Sequence, residues 1–307
     1  ITWENAFKQI ANCLKSLKNS DDAILYTSGR TSNEAAFLYQ LFGRMYGTNN
    51  FPDCSNMCHE SSGVAMNESI GVGKGTVSIE DFDEAELIII MGQNPATNHP
   101  RMLSELQKAS ENGAKIVSFN PIREAGMDAF LHPQHIGKML SNKATPLVSH
   151  HYFVSLGSDM AILQCIVRYI LEHHIDVIDN DFISEHTDGF EAYKNEILSK
   201  DWKELVLQSS LNENEIIEIA NLYMQSNKTI CCWAMGLTQH KHGVYNIQEV
   251  INLLLLKGNI GKKGAGACPV RGHSNVQGDR TVGITEAPKE EFLQKIDEVF
   301  HFNSPRK

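Results

Sequence analysis

The chain has 307 residues, 42% of them hydrophobic and 21% charged, and a formal net charge of −10. This length accommodates about two domains, and the composition is that of a folded globular protein rather than a disordered chain. The basic residues form no stripe, and the longest apolar runs are far shorter than a membrane-spanning helix. We therefore expect neither a nucleic-acid partner nor a membrane partner.

Helices and strands alternate along the predicted chain. Hydrophobic periodicity predicts helices over 3–18, 32–46, 100–112, 159–174, 180–186, 213–226 and 245–257. Short, continuous apolar runs predict buried strands over 23–29, 87–92, 115–121 and 229–236. This alternation is typical of an α/β fold with a parallel sheet. We expect a Rossmann-like three-layer αβα sandwich.

Two segments have no predicted regular structure. Residues 124–156 form a long connection, and connections of such length are usually functional or mobile. Residues 258–281 contain six glycines and no periodicity, which favours close approach of the backbone to another group. The stretch GVGKGT at 71–76 lacks the spacing of a phosphate-binding loop and follows no predicted strand, so we interpret it as an ordinary flexible loop.

The cysteines indicate a reducing environment. There are seven, an odd number without the spacing of a disulfide framework, so we expect a cytoplasmic protein. Cys13 and Cys165 have apolar helical neighbours and are expected to be buried, and Cys231 and Cys232 are expected to pack in a core strand. The chain begins without Met inside a predicted helix and shows no secretory leader, which indicates a piece of a longer protein.

Cys58 and His59 stand side by side in NMCHESSGV, a run of small and polar residues at 56–64. The thiol could be structural, nucleophilic, a zinc ligand or a ligand to a heavier metal. Zinc is not favoured, because Cys54 and Cys58 have no second Cys/His pair at matching spacing. A nucleophile is not favoured either, because catalytic Cys and His residues normally meet in space rather than in sequence. We expect Cys58 to lie in a loop.

Polar loops follow three of the predicted strands. GQNPATNHP follows 87–91, NPIREAG follows 115–119, and MGLTQH follows 229–234. LGSD at 156–159 adds a carboxylate at a helix start. Ligands of open α/β sheets bind at the carboxyl ends of the strands, and helix N-termini there favour phosphates. These loops favour a nucleotide-type cofactor, with ordinary turn chemistry as the alternative.

With LLLLKGNIGKKGAGACPVRGHSNVQGD near the end of the chain, these motifs resemble the molybdopterin oxidoreductase family, and more closely its formate-dehydrogenase-like alpha subunits. The resemblance runs in order from ITWENAF to about residue 283. It implies a cofactor of two molybdopterin guanine dinucleotides (bis-MGD) holding molybdenum or tungsten. It also implies an iron–sulfur [4Fe-4S] cluster, expected only in an N-terminal segment outside this chain, and an isolated fragment that is inactive.

The resemblance also implies roles for individual residues. Cys58 would ligate the metal, His59 would accept a proton with a near-neutral pKa, and Arg271 would hold a small anion such as formate. The implied cofactor-binding positions are Gly92, Asn94, Asn98, His99, Asn120, Arg123, Gly157, Asp159, Met235 and Gln239.

The same resemblance implies a domain organisation and a function. Residues 54–273 would form an inserted guanine-dinucleotide-binding α/β domain, and 1–53 with the return segment 274–307 would belong to an incomplete α/β unit. The expected reaction is two-electron oxidation of formate or a similar small molecule. Formate dehydrogenases have Gln where His273 stands, and their counterpart of 124–156 is shorter. The alternatives are a molybdenum reductase of another small oxo or anionic substrate and a non-redox nucleotide- or anion-binding domain.

Overall fold

The computed structural model describes residues 1–306. The chain forms two compact units, one made of Ile1–Cys58 and the segment from His273 onward, the other of His59–Gly272. In sequence the second unit is therefore inserted in the first. It covers residues 59–272, whereas the sequence predicts an inserted domain over 54–273. The assignment of the inserted unit to guanine-dinucleotide binding stays a prediction.

The second unit is built on a five-stranded parallel sheet with the strand order β5-β2-β1-β6-β7. Two short strands, β3 and β4, pair with each other in an antiparallel ribbon outside this sheet. The strands are β1 (Leu87–Met91), β2 (Lys115–Asn120), β3 (Ala129–Phe130), β4 (Thr145–Pro146), β5 (His150–Phe153), β6 (Thr229–Trp233) and β7 (Gly266–Pro269).

Helices cover both faces of this sheet. Along β1, Leu87, Ile89 and Met91 pack into one hydrophobic cluster, and Ile88 and Ile90 pack into a second cluster on the opposite face. Because both faces are buried, β1 is apolar at every position rather than at alternate ones. The predicted α/β sandwich is confirmed.

The second unit contains helices of four to fifteen residues. They are Glu60–Ile70, Asp81–Glu84, Pro95–Asn98, Met102–Glu111, Ala125–Asp128, Ile136–Ser141, Asp159–His173, Asn180–His186, Phe190–Ser199, Trp202–Ser209, Glu213–Gln225, Met235–Thr238 and Gly243–Leu256, with a 3-10 turn at Ile175–Val177. Within residues 1–306, no helix is long and apolar enough to cross a membrane.

Four expectations for the second unit need correction. The long connection 124–156 is not irregular, since it contains the ribbon, two short helices and the edge strand β5. The glycine-rich segment 258–281 contains β7 and a helix that belongs to the first unit. The predicted strand 229–236 ends at Trp233, because Met235 begins a short helix. Three helices of this unit with eight or more residues, Glu60–Ile70, Phe190–Ser199 and Trp202–Ser209, were not predicted.

The first unit is mainly helical. Its helices are Trp3–Ser16, Asn33–Tyr46, Cys54–Cys58, Val276–Thr281 and Glu290–Phe300, with a 3-10 turn at Ser20–Asp22. A small core contains Leu25, Ala36, Phe51 and Ile284. The predicted strand 23–29 is wrong, since these residues form only an isolated bridge, between Thr27 and Asp53.

Cys13 is another wrong prediction in this unit. The helix Trp3–Ser16 has no buried residue, and Cys13 is exposed rather than buried. Its apolar side chains Trp3, Phe7 and Ile10 are also exposed. Helical spacing of apolar residues predicted the helix correctly, but it could not show whether anything covers the apolar face. Cys165, Cys231 and Cys232 are buried as predicted.

Candidate functional site

The carboxyl ends of β1 and β6 form the point where the strand order of the sheet reverses. From β1 the chain continues to β2 and β5 on one side, whereas β6 and β7 lie on the other. Immediately after these strands, the Gly236 amide donates to the Gly92 carbonyl oxygen at 3.1 Å. A Cβ on Gly236 would lie 2.5 Å from the Gly92 Cα. Such reversal points are where ligands bind in open α/β sheets.

The loop after β1 directs polar atoms to this end of the sheet. The Gln93 Nε2 atom lies 3.3 Å from His99 Nδ1 and 3.2 Å from the Met102 sulfur. Gln93 Oε1 and His99 Nε2 are buried and have no hydrogen-bond partner among residues 1–306. Burial lowers the pKa of His99, which favours the neutral imidazole. Asn94 caps the helix Pro95–Asn98 through its side-chain oxygen.

His59 lies at the ends of β6 and β7. Its Nδ1 atom is 3.1 Å from Ser62 Oγ, and its Nε2 atom is 3.1 Å from the carbonyl oxygen of Val270. Ser62 Oγ in turn accepts a hydrogen bond of 2.9 Å from the indole Nε1 of Trp233, the last residue of β6. Both imidazole nitrogens of His59 are therefore engaged, and the side chain is 2% exposed.

The charge state of His59 differs from the one expected. Burial, the positive charge of Arg271 and the neighbouring His99 lower its pKa to about 4, although the hydrogen bond with Val270 acts in the opposite direction. The expectation of a near-neutral pKa is wrong for this arrangement, because the interior disfavours the imidazolium and a guanidinium repels it. Arg271 directly follows Val270 and is half-buried.

Asn120 and Arg123 follow β2. Asn120 Nδ2 donates to the Gln93 carbonyl oxygen at 3.1 Å, so its amide joins the loops after β1 and β2. Arg123 Nε contacts both carboxylate oxygens of Asp128 at 3.1 Å, on the surface. The structure thus brings Asn120 to the β1 loop and places Arg123 in a surface ion pair.

Gly157 and Asp159 lie at the start of the long helix Asp159–His173. Gly157 has φ of +88°, and a Cβ on it would lie 3.0 Å from His240 Nε2. Asp159 is buried at the first helical position, and burial raises its pKa although His240 acts against the shift. The loop after β6, which carries Gln239 and His240, therefore meets the helix start that carries Asp159.

The remaining predicted positions are Asn98, Met235 and Cys58. Asn98 is exposed at the end of its short helix, and Met235 is 43% exposed at the start of the helix Met235–Thr238. Cys58 is the last residue of the first unit and ends the helix Cys54–Cys58, so the loop expected there is wrong. Within residues 1–306, no three His, Cys, Asp or Glu side chains are grouped to hold a metal ion.

Sequence reasoning missed three residues of this site. Gln93, Ser62 and Trp233 are buried and connect the predicted residues His59 and His99 to the sheet. Gln93 lies in the motif GQNPATNHP and Ser62 in the motif NMCHESSGV, so both could have been included, but Trp233 gave no signal. The hydrogen bond between Trp233 and Ser62 joins positions separated by 171 residues.

Comparison with known proteins identifies relatives over nearly the whole chain. The family model described as molybdopterin oxidoreductase matches residues 1–300. Protein YdeP of Escherichia coli K12 is 50% identical over 313 residues, covering 99% of this chain and 41% of that protein. An uncharacterised oxidoreductase of Mycobacterium tuberculosis H37Rv is 50% identical over 310 residues, covering 100% of this chain and 40% of its own length.

Formate dehydrogenase H of Escherichia coli K12 is 30% identical over 288 residues, covering 92% of this chain and 38% of that enzyme. The chain thus spans about 40% of the length of the curated relatives it matches. Among solved structures, acetylene hydratase from Pelobacter acetylenicus superposes with a TM-score of 0.70 at 17% identity, covering 96% of this chain and 38% of that one. This likeness concerns the fold.

Proposed function

The chain belongs to the molybdopterin oxidoreductase family, and we propose that it serves the two-electron oxidation of formate or a similar small substrate at a molybdenum or tungsten centre. The observation that carries the proposal is the arrangement of His59, Arg271 and His99 at the carboxyl ends of β1, β6 and β7. These three side chains are close enough for Arg271 and His99 to lower the pKa of His59.

The residues present fit a bound guanine dinucleotide. The glycines Gly92 and Gly236 let the loops after β1 and β6 approach each other closely at the reversal point, since a Cβ on either would lie within 3 Å of backbone atoms of the other. The buried Gln93 Oε1 and His99 Nε2 atoms offer an acceptor and a ring nitrogen that residues 1–306 do not satisfy. Buried polar atoms of this kind normally have a partner, which a cofactor can supply.

The residues proposed to hold the cofactor are Gly92, Asn94, Asn98, His99, Asn120, Arg123, Gly157, Asp159, Met235 and Gln239. When bound, the cofactor supplies a sulfur-bound metal that takes up two electrons. Cys58 is proposed as the ligand from the protein, since a soft thiolate suits a sulfur-rich metal centre.

Arg271 and His59 are proposed to act on the substrate. Arg271 presents a planar guanidinium, which donates two parallel hydrogen bonds to a carboxylate and so orients it. His59 donates from Nε2 to Val270, because a carbonyl oxygen can only accept. The nitrogen that can take up a proton is therefore Nδ1, and the Ser62 hydroxyl must rotate so that its oxygen accepts the new N–H.

A second candidate is reduction of another small oxo or anionic substrate at the same centre. The names of the two relatives described at 50% identity state no substrate, whereas the relative named as a formate dehydrogenase is 30% identical, so a substrate other than formate stays open. Arg271 would serve either substrate, because a guanidinium binds carboxylates and other oxyanions alike.

The test is metal and pterin analysis of the full-length protein, followed by a substrate panel. Near-stoichiometric molybdenum or tungsten with two pterins per chain, and formate-dependent reduction of an artificial electron acceptor, support the proposal. Cys58→Ala should abolish that turnover and leave the far-UV circular dichroism unchanged. Metal without formate activity favours the reductase. Absence of both metal and pterin favours a non-redox nucleotide- or anion-binding domain and contradicts the proposal.

A further inference from the structure

Two thiols lie opposite each other on neighbouring strands of the sheet in the second unit. Cys232 of β6 and Cys268 of β7 are register partners in the parallel pairing of these strands. Both are free cysteines. Neither belongs to the candidate site described above, although β7 leads directly to Val270, whose carbonyl oxygen lies 3.1 Å from His59 Nε2.

The two side chains lie on the same face of the sheet. Cys232 belongs to the hydrophobic cluster that contains Ile88 and Ile90, and Cys268 packs against that cluster. The thiols are in contact, since burial and a hydrogen bond with Cys268 together raise the pKa of Cys232. Neighbouring strands lie about 4.8 Å apart, which is within the Cα separation of about 4.4–6.8 Å that a disulfide requires. The strands can therefore carry a disulfide at their ordinary spacing.

The two thiols differ in exposure. Cys232 is 0% exposed, whereas Cys268 is half-buried on the edge strand β7. The raised pKa of Cys232 also keeps this side chain in the neutral thiol form at pH 7. Because oxidation of cysteines follows their accessibility and thiolate character, an oxidant dissolved in water reacts with Cys268 first.

We propose that Cys268 and Cys232 form a peroxide-responsive disulfide that joins β7 to β6. Hydrogen peroxide transfers one oxygen to the Cys268 sulfur, which becomes a sulfenic acid, and the peroxide leaves as water. The Cys232 sulfur then attacks the sulfenic sulfur, so that the S–S bond forms and the S–O bond breaks. The departing hydroxyl group takes up the Cys232 proton as a second water. In total the two thiols lose two electrons and two protons, and one peroxide becomes two waters.

The disulfide has two consequences for the protein. It stops the oxidation of Cys268 at a stage that thiols can reverse, whereas sulfinic and sulfonic acids are not restored by thiols. It also places a covalent bond beside the hydrogen bond of 2.8 Å from the Val270 amide to the Trp233 carbonyl oxygen, which holds the end of β7. Thiol–disulfide exchange with dithiothreitol returns both cysteines to thiols.

The experiment exposes the full-length protein to hydrogen peroxide, at a dose that leaves the far-UV circular dichroism unchanged. The remaining thiols are blocked with N-ethylmaleimide in denaturant, and tryptic peptides are mapped by mass spectrometry. Cleavage at Lys and Arg places Cys232 in peptide 229–241 and Cys268 in peptide 264–271. A cross-linked pair of these peptides is expected in the wild type, and dithiothreitol added before the blocking step should abolish it.

Three variants assign the bond. Cys268→Ala and Cys232→Ala should both lose the cross-link, and in Cys232→Ala the remaining Cys268 should proceed to sulfinic and sulfonic acid. Cys231→Ala is the matched control and should keep the cross-link. Cys231 is adjacent in sequence and 1% exposed, but it packs on the opposite face of β6 and is paired with Ala267.

The mapping of the wild type requires no variant, so it tests the proposal even where Cys232→Ala does not fold. The proposal is overturned if both thiols of the peroxide-treated wild type are fully blocked by N-ethylmaleimide. It is also overturned if the cross-link is lost in Cys231→Ala, or if Cys268 of the wild type reaches sulfonic acid as fast as it does in Cys232→Ala.

Discussion

The imidazole of His59 is hydrogen-bonded to the carbonyl of Val270, with Nε2 and the oxygen 3.1 Å apart. Val270 is bound in turn to the sheet, since its amide donates to the Trp233 carbonyl at 2.8 Å. Because Arg271 is the next residue, these bonds fix the backbone from which its side chain extends. His59 therefore helps to position the segment before Arg271.

Ser62→Ala should destabilise the protein by about 1–3 kcal/mol. The substitution leaves the buried indole N–H of Trp233 without an acceptor and His59 Nδ1 without a donor, and unsatisfied buried groups cost this much. Urea unfolding followed by circular dichroism measures the change. The control is Ser69→Ala on the same helix, where the removed hydroxyl is half-buried. An equal decrease in the free energy of unfolding in both variants would show that the hydrogen bonds joining Trp233, Ser62 and His59 do not stabilise the protein.

Gly236→Ala should destabilise the protein by at least about 3 kcal/mol or prevent folding, because the new methyl group would overlap backbone atoms of Gly92 that cannot move aside. Gly63→Ala is the matched control, since Gly63 lies inside the helix Glu60–Ile70 and nothing is within 4 Å of its added Cβ. That variant should gain about 0.5–1 kcal/mol. Similar melting temperatures for the two variants would contradict the close approach at the reversal point.

The sequence predicted the centre of the sheet better than its edges. β1 is apolar at every position because both faces are covered, and this pattern is visible in one sequence. The edge strand β5 begins with His150 and His151, which look like loop residues. Residues 23–29 have the same apolar character as β1, but Ile24 and Tyr26 are exposed and the segment forms only one bridge.

The candidate site residues His59, His99 and Arg271 came from a family resemblance, and their roles stay predictions. In the structure, Arg271 and His99 lie close enough to His59 to lower its pKa. Their supporting contacts could not be predicted, because a hydrogen bond such as that between Trp233 and Ser62 depends on the packing of a helix against a strand end. The low pKa of His59 was also unpredictable, since it follows from burial.

Asp279 should make the protein less stable as the pH rises from about 4 to about 6. Its carboxyl group is fully buried, and Oδ2 has no hydrogen-bond partner among residues 1–306. Burial, together with the charge of Asp53, raises its pKa to about 6. In the unfolded chain the group ionises near its ordinary pKa of about 4. Between these values the folded state binds more protons, so the stability present below pH 4 is lost with increasing pH.

Asp279→Asn is expected to remove this part of the pH dependence and to be more stable than the wild type at pH 7. Its amide oxygen can still accept from the Asn275 side chain, as the carboxylate does at 3.1 Å. Unfolding free energies at pH 4, 5, 6 and 7 provide the measurement, with exposed Asp176→Asn as the control. A wild-type pH profile retained in Asp279→Asn would show that Asp279 does not titrate in this range.

Gln93→Leu should lower the amount of pterin bound to the full-length protein several-fold. Gln93 Nε2 lies within hydrogen-bond distance of His99 Nδ1, at 3.3 Å, so its loss frees that ring to rotate. In metal sites, loss of a residue that orients a metal ligand typically lowers metal affinity about 10- to 100-fold. By analogy, we expect loss of Gln93 to lower the affinity for the pterin cofactor. Pterin fluorescence per chain is the readout, and exposed Gln208→Leu is the control. Equal pterin content in both variants would exclude a positioning role for Gln93.

Arg271→Lys tests the substrate assignment. If Arg271 orients a carboxylate, lysine keeps the charge but loses the two parallel hydrogen bonds, and turnover of formate should fall sharply. The expected loss is on the order of 2–4 kcal/mol in transition-state terms, comparable to removal of one preorganised donor. The loss should be much smaller for a neutral substrate, and kcat/KM expressed per bound metal separates this effect from poorer cofactor loading.

The competing role for Arg271 is to brace the segment after β7, where Val270 is already held by His59. In that case Arg271→Lys would reduce metal occupancy and impair all substrates equally, and the loss would vanish once rates are expressed per bound metal. Arg280→Lys is the control, since Arg280 Nε contacts Asp53 at 3.2 Å within the first unit. A uniform loss of turnover that disappears once the rates of Arg271→Lys are expressed per bound metal would exclude the substrate role of this arginine.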